Sequence, residues 1–492
     1  MIARCILLVA FCCVAAFAEG LDLRAAWFRA DITPAVGAKV AGYGPDDVSV
    51  GVLDPLYATG LCLDDGECKA LIVSFDLLGI DAPVIRELRK GVAEILGVPD
   101  AYVLFTCTHT HGGPHSRMLN EDAHMKLDYS LDGDPPPGLD VGFMKMVRER
   151  LYAAVRRLVR DGNWRTVKLG YFSSQVDANL NRRFTTADNH ASFVAHRRTL
   201  QKIATGIADK ELGTVALLDE KTFLPVYVVG NYAAHALASH GPGTGGLRIT
   251  SDFPGFYRDY LKRECGAEAM FVQGAAGDLI PKWDELGENA ARRVGEGLAE
   301  ESMAAIIDIQ RNAARFVLSE PRLAAVIKTM DIPLLARCRD LFDGDRTMLE
   351  IQCLSIGDIA FVGVPGETVN ELGLEIKWHS PFRRTFIAYC ATGYFGYISP
   401  GNLVAAGGYE PQSQRFPSRD ALRMVGVAVD ALSEIRAAAF PADYSGKDPY
   451  PDNLELPVLS LPGGLKATKR NDSGKCQKRS SVVGLPQRFC DD

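Results

Sequence analysis

The sequence predicts an α/β fold: a mixed β-sheet with flanking helices, and a metal site at the carboxyl ends of strands. Three observations carry this. Apolar runs alternate with stretches whose apolar residues recur at helical spacing. Four of those runs end in segments bearing His, Glu or Tyr. The chain has 492 residues, 47% of them hydrophobic and 23% charged, enough for a sizeable core of ordinary globular composition.

Residues 1–18 read as a secretory leader. Arg4 is the positive flank, residues 6–17 are apolar, and Ala16-Phe17-Ala18 satisfies the small-x-small cleavage rule. A secreted or periplasmic protein is therefore expected. Phe11 before Cys12 is too bulky for a lipoprotein site. No later apolar run is long enough to span a bilayer. A net charge of −7 argues against nucleic acid as a main partner.

Of twelve cysteines, Cys5, Cys12 and Cys13 fall in the leader, so nine remain and at least one thiol lacks an internal partner. Cys62 and Cys68 flank a hairpin-like turn and are a candidate disulfide, as are Cys476 and Cys490 in the tail. Cys107 reads as a small buried filler.

Residues 22–440 form the expected catalytic domain. Strands are expected at 71–76, 102–105, 226–229, 359–364 and 385–389. Helices are expected at 83–96, 143–159, 254–263, 289–310, 367–378 and 419–437. A polar loop at 121–140 follows the second of these strands and could rim a site. Residues 441–492 turn Pro-, Gly- and Lys-rich, a tail expected to lie on the surface or be disordered.

The chemistry gathers where strands end. After 102–105 comes Thr108-His109-Thr110-His111-Gly112-Gly113-Pro114. On an extended backbone, residues two apart face the same way, so His109 and His111 would project together. The strand at 226–229 leads to His235, 359–364 to Pro365-Gly366-Glu367, and 385–389 to Tyr394 and Tyr397. Ligands collect outside the carboxyl ends of strands in open α/β sheets. Imidazole and carboxylate are zinc ligands, and a catalytic zinc keeps one position for water. Each residue also has a plainer reading. The histidines could be surface or core side chains, Glu367 could favour a helix N-terminus, Tyr397 could be a core aromatic, and Asp278 a turn residue.

Arg29-Ala30-Asp31-Ile32-Thr33-Pro34, Ala41-Gly42-Tyr43-Gly44, the His109 motif, Gln273-Gly274-Ala275-Ala276-Gly277-Asp278 and Pro365-Gly366-Glu367 together resemble the neutral/alkaline (non-lysosomal) ceramidase family, in the family's order from about 25 to 440. The resemblance implies an exported zinc amidase that releases fatty acid from the amide of ceramide. It implies His109, His235, Glu367 and Tyr397 as zinc ligands, with His111, Arg182 and Tyr409 facing the substrate. It also implies an N-acyl lipid substrate and transient contact with a membrane surface. Two departures stand out. The family's C-terminal immunoglobulin-like domain, about 100 residues in general, does not fit in 441–492, and Ile398-Ser399-Pro400 replaces the usual threonines. They leave two alternatives beside a ceramidase: a zinc hydrolase of a soluble N-acyl compound or ester, and a non-catalytic, metal-stabilised binding protein.

Overall fold

Strands that are apolar along their whole length need cover on both faces, and two stacked sheets supply it. The computed structural model describes residues 22–440, apart from 45, 119–125, 137, 186–190, 194–205, 241–245, 283–284 and 340–341. The first sheet holds β1 (Leu23–Asp31), β2 (Tyr57–Asp64), β3 (Lys69–Phe75), β4 (Val103–Cys107), β5 (Arg165–Gln175), β6 (Glu211–Asp219), β7 (Pro225–Tyr232) and β8 (Glu268–Gln273). Their order is β8-β7-β6-β5-β1-β2-β3-β4. The outermost pairs, β7/β8 and β3/β4, are parallel, and the pairs between them are antiparallel. The second sheet runs β9 (Leu323–Pro333), β10 (Arg346–Ile356), β11 (Ile359–Gly363) and β12 (Arg384–Ala388), with β11 and β12 parallel.

The sheets share one apolar layer, in which Leu61, Ile72, Leu104, Val215 and Met270 meet Leu354, Phe361 and Phe386. Helices α1 (Ala82–Leu96) and α2 (Val141–Asp161) cover Ala26, Cys62 and Val73 on the other face of the first sheet. Helices α3 (Phe253–Cys265) and α4 (Glu288–Arg311) cover Leu212, Ala216 and Val228. The outer face of the second sheet packs Ile351, Val362 and Ile387 against α5 (Asn370–His379) and α6 (Ser418–Ala439). The result is the expected mixed sheet with flanking helices, joined by a second sheet to make four layers, helix–sheet–sheet–helix. Strands of both sheets are buried along nearly their whole length. A fully apolar strand announces two covered faces, but not which sheet it joins.

Five expected helices coincide with α1–α4 and α6 to within two residues at each end. The sixth does not. Glu367 and Thr368 form a two-residue strand beside Tyr397–Ile398, and the helix begins only at Asn370. Thr368 and Val369 are β-branched and favour the extended backbone. The Cys62–Cys68 pair is also corrected, since both thiols are free. In the β2–β3 hairpin Cys62 lies opposite Leu71, not Cys68. Cys62 packs toward α1 and α2, while Cys68 packs into the layer between the sheets. Cys107 is fully buried filler, as expected. The described part of the 121–140 loop is tied to α1 and α2 through Leu131 N–H to Glu87 and Arg148 to Asp132. The leader, the tail and the Cys476–Cys490 pair lie outside the described residues.

The first sheet curls until its two ends approach. Ser74 Oγ on β3 donates to Phe271 O on β8 at 2.6 Å, and Arg29 on β1 pairs with Glu268 on β8 at 3.2 Å. This brings the carboxyl end of β4 to those of β7 and β8, which lie at the opposite end of the strand order, beside those of β11 and β12.

Candidate metal centre

The chain leaves β4 at Cys107 and turns sharply. His109 has φ +61°, the left-handed region, which costs a non-glycine residue on the order of 1–3 kcal/mol and persists only where its surroundings enforce it. Here its N–H donates to Leu77 O at 3.0 Å and its Nδ1 to Leu78 O at 2.7 Å. The expected strand alternation therefore does not place the two histidines. They meet because His111 is drawn back by its own N–H bond to Ala236 O at 3.2 Å, which leaves the ring centroids 5.3 Å apart.

His235 follows β7. Its Nδ1 faces Ala276 O at 2.6 Å and Leu279 O at 3.2 Å. Gln273, at the end of β8, joins the two histidine loops. Its amide nitrogen donates to Thr108 O at 3.2 Å and to Ala234 O, and its oxygen accepts from Ala234 N–H at 3.3 Å. From the second sheet, Glu367 follows β11 and lies in register opposite Tyr397, which follows β12.

These side chains converge. Glu367 Oε2 is 3.3 Å from His109 Nε2 and 3.2 Å from His235 Nε2, and Tyr397 Oη is 3.5 Å from His235 Nε2. All four side chains are buried. A carbonyl oxygen only accepts, so both Nδ1 atoms carry hydrogen, and each Nε2 is turned inward toward the carboxylate. Two imidazole nitrogens thus converge on a single carboxylate oxygen in a buried setting, a group that a cation at its centre would stabilise. The ligating nitrogens of His109, His111 and His235 also lie within 4.8 Å of one another. The residues thus fit a metal ion, and the N/O ligand set suits a borderline metal.

The electrostatics agree. Burial would raise the Glu367 carboxyl, but the His109 and His235 imidazoles outweigh it and hold the group well below the usual carboxylate range. Burial pushes His235 down to about 4 against the pull of Glu367. Burial, then the neighbouring histidines, hold His111 well below its ordinary value. Burial and Glu367 raise the Tyr397 phenol well above its ordinary value.

The substrate-side candidates surround this group. His111 is half-buried, and neither ring nitrogen has a hydrogen-bond partner among the described residues. It rests on Gly42, whose φ is +88°, and a Cβ there would come within 2.3 Å of His111 Nδ1. Arg182 donates to Glu410 at 2.8 Å, to Gly277 O at 2.8 Å and to Tyr397 Oη at 3.1 Å. The ring of Tyr409 meets that of Tyr397 edge-on, with centroids 5.3 Å apart, and is 49% exposed. Asp278 does lie in a turn, and a buried one. Its carboxylate accepts from Asn370 N–H at 2.7 Å and from Asn181 at 2.6 Å, which anchors the segment carrying Arg182.

Several residues of the site were not singled out by sequence. Gln273 and Tyr389 lie within or beside strands and read as ordinary strand-end residues. Tyr389 Oη approaches Glu367 Oε2 at 3.4 Å, and Tyr394 Oη donates to Glu367 Oε1. Tyr394 was named beside Tyr397 in the sequence, but no role was given to it there.

No protein-family model and no curated protein matches the sequence. Solved structures do. A neutral ceramidase from Pseudomonas aeruginosa aligns with a TM-score of 0.66 at 17% identity, over 85% of this chain and 75% of that one. A structure described as ceramidase complexed with C2 aligns with a TM-score of 0.67 at 16% identity, over 85% and 76%. The chain has the ceramidase fold. At this identity the likeness concerns the fold alone. Among the described residues, no helix is long and apolar enough to cross a membrane.

Proposed function

We propose that this chain is an exported, zinc-dependent amidohydrolase of the neutral ceramidase type, cleaving the N-acyl amide of ceramide or a related N-acyl lipid. The observation that carries the proposal is the convergence of His109 Nε2, His235 Nε2 and Glu367 Oε2 in a ceramidase fold. His109, His235, Glu367 and Tyr397 would hold the zinc. When bound, zinc supplies Lewis acidity that activates water and polarises an amide carbonyl.

The chain's own residues do the rest. His111 is kept neutral by burial and its neighbours. It can accept a proton at a ring nitrogen and pass it to the leaving amine. The distinction between His111 and the two proposed ligands is supported by their surroundings. His109 and His235 have Nδ1 fixed by backbone carbonyls, as metal-ligating histidines usually do, whereas among the described residues nothing holds either nitrogen of His111. Arg182 fixes the Tyr397 hydroxyl, and its charge favours negative charge developing nearby. Tyr409 presents a phenol to a substrate oxygen. A half-buried, unengaged His111 beside the ligand set favours an enzyme over a closed binding site.

The test is metal analysis of the purified protein, then assays against ceramides of graded acyl length, soluble N-acyl amines and simple esters. Zinc near one equivalent with turnover of the ceramides is expected. Turnover confined to the soluble compounds would move the substrate class, and a metal-free, inactive protein would sink the proposal. Export has its own check: mature protein should begin near Glu19, by N-terminal sequencing of secreted or periplasmic material.

A further inference from the structure

We infer that Tyr394 is the positioning residue that decides which oxygen of Glu367 faces the metal centre, and that the loop after β3 holds Tyr394 and His109 in one frame. The inference rests on the reading of this centre as a metal site. A carboxylate has two equivalent oxygens, and its terminal torsion is soft and roughly two-fold. Here the two ends are told apart. Oε2 faces both imidazoles at 3.2 and 3.3 Å, while Oε1 accepts the Tyr394 hydroxyl. Tyr389 cannot make this distinction, because its hydroxyl approaches Oε2 and at a long 3.4 Å.

The Tyr394 ring is itself fixed. The Arg117 guanidinium lies 4.1 Å from its centroid, a cation–π contact in a buried setting. Gly79 abuts the ring so closely that a Cβ would come within 2.6 Å of it. Gly79 is pinned in turn, its carbonyl accepting from Ser116 Oγ at 2.7 Å. The two residues before it, Leu77 and Leu78, give the carbonyls that hold the His109 backbone and Nδ1. One short loop therefore sets a proposed ligand directly and a second through Tyr394. Outer partners of this kind orient metal ligands, and losing one typically costs 10–100-fold in metal affinity.

Chelator competition measures the zinc dissociation constant, and the visible spectrum of the Co2+-loaded protein reports the ligand geometry. Tyr394→Phe removes the hydroxyl and keeps the ring on Arg117. It should raise the dissociation constant roughly 10- to 100-fold and alter the Co2+ spectrum, with the thermal midpoint of the metal-free protein unchanged. Gly79→Ala keeps the hydroxyl but displaces the ring and should shift both readouts in the same direction. A wild type that binds zinc while Tyr394→Phe binds it equally well overturns this inference alone. So does an affinity loss matched by an equal loss of metal-free stability. A wild type that takes up no metal overturns the metal reading, and this inference with it.

Discussion

At the scale of single residues, the fate of a histidine is decided by what its far nitrogen touches. His109 and His235 spend Nδ1 on carbonyl oxygens, so Nε2 is committed to the centre. His111 spends neither nitrogen on any of the described residues. The two kinds should respond differently to truncation. His235→Ala should lose both bound metal and hydrolysis, since three remaining ligands hold zinc poorly. His111→Ala should keep the metal and lose about 100-fold or more in rate, the usual weight of a proton-transfer or oxyanion group. Metal analysis and an N-acyl hydrolysis assay on both variants decide it. A His111→Ala protein without zinc, beside a His109→Ala protein that retains it, would reverse the assigned roles. The motif was legible in sequence because His, Glu and Tyr after apolar runs are few and chemically distinct. The manner of their meeting was not, because the left-handed turn at His109 is enforced by carbonyls of a loop some thirty residues away (|i−j| = 31 for Leu78).

At the scale of elements, the His111 loop is fastened from behind. Thr110 Oγ1 donates to Thr250 O at 2.7 Å, and Thr250 N–H donates to Gly112 O at 3.0 Å. Thr250 and Ser251 in turn donate their hydroxyls to Asp54, which also accepts Ser251 N–H at 2.8 Å. Burial nevertheless pushes the Asp54 carboxyl up to about 6, the hydrogen bonds from Ser251 and Thr250 only partly offsetting it. The sign follows from linkage. A carboxyl whose folded value lies above its unfolded one favours the fold below about pH 4. That contribution is lost as pH rises through about 6. The difference of about two units is worth up to roughly 3 kcal/mol. Asp54→Asn should therefore gain stability relative to wild type between pH 4 and 6, and hold a constant advantage above that. Denaturant titrations of both proteins across this range measure it, and a difference that does not vary with pH would refute it. Elements with a strong period of their own were legible: α1 to α4 and α6 were found from the spacing of their apolar residues. Glu367 was misplaced at a helix start because Pro365-Gly366 reads as a boundary, while its true partner, Tyr397, lies far off in sequence. Gln273 opens one of the quoted motifs, but its clamping role was not legible, since a clamp is defined by the two loops it joins.

At the scale of the whole molecule, stacking is what makes the centre. His109 and His235 come from the first sheet, Glu367 and Tyr397 from the second, and neither sheet alone offers a complete set. His235 is 132 residues from Glu367 and 162 from Tyr397. That separation has a kinetic consequence. Contacts between distant parts of a chain carry a closure cost that must be met before they form, and this group meets only after both sheets have formed and docked. Zinc should then be absent from the transition state for folding and stabilise only what lies beyond it. Its effect belongs on the escape from the native state, as expected of contacts formed late. With zinc at about 100 times its dissociation constant, the native state gains about 2.7 kcal/mol, so unfolding should slow by roughly 100-fold while refolding keeps its metal-free rate. Rapid-mixing experiments in both directions, with zinc and with chelator, separate the two arms. Refolding accelerated by zinc would mean instead that the metal gathers its ligands early and acts as a nucleus around which the sheets assemble.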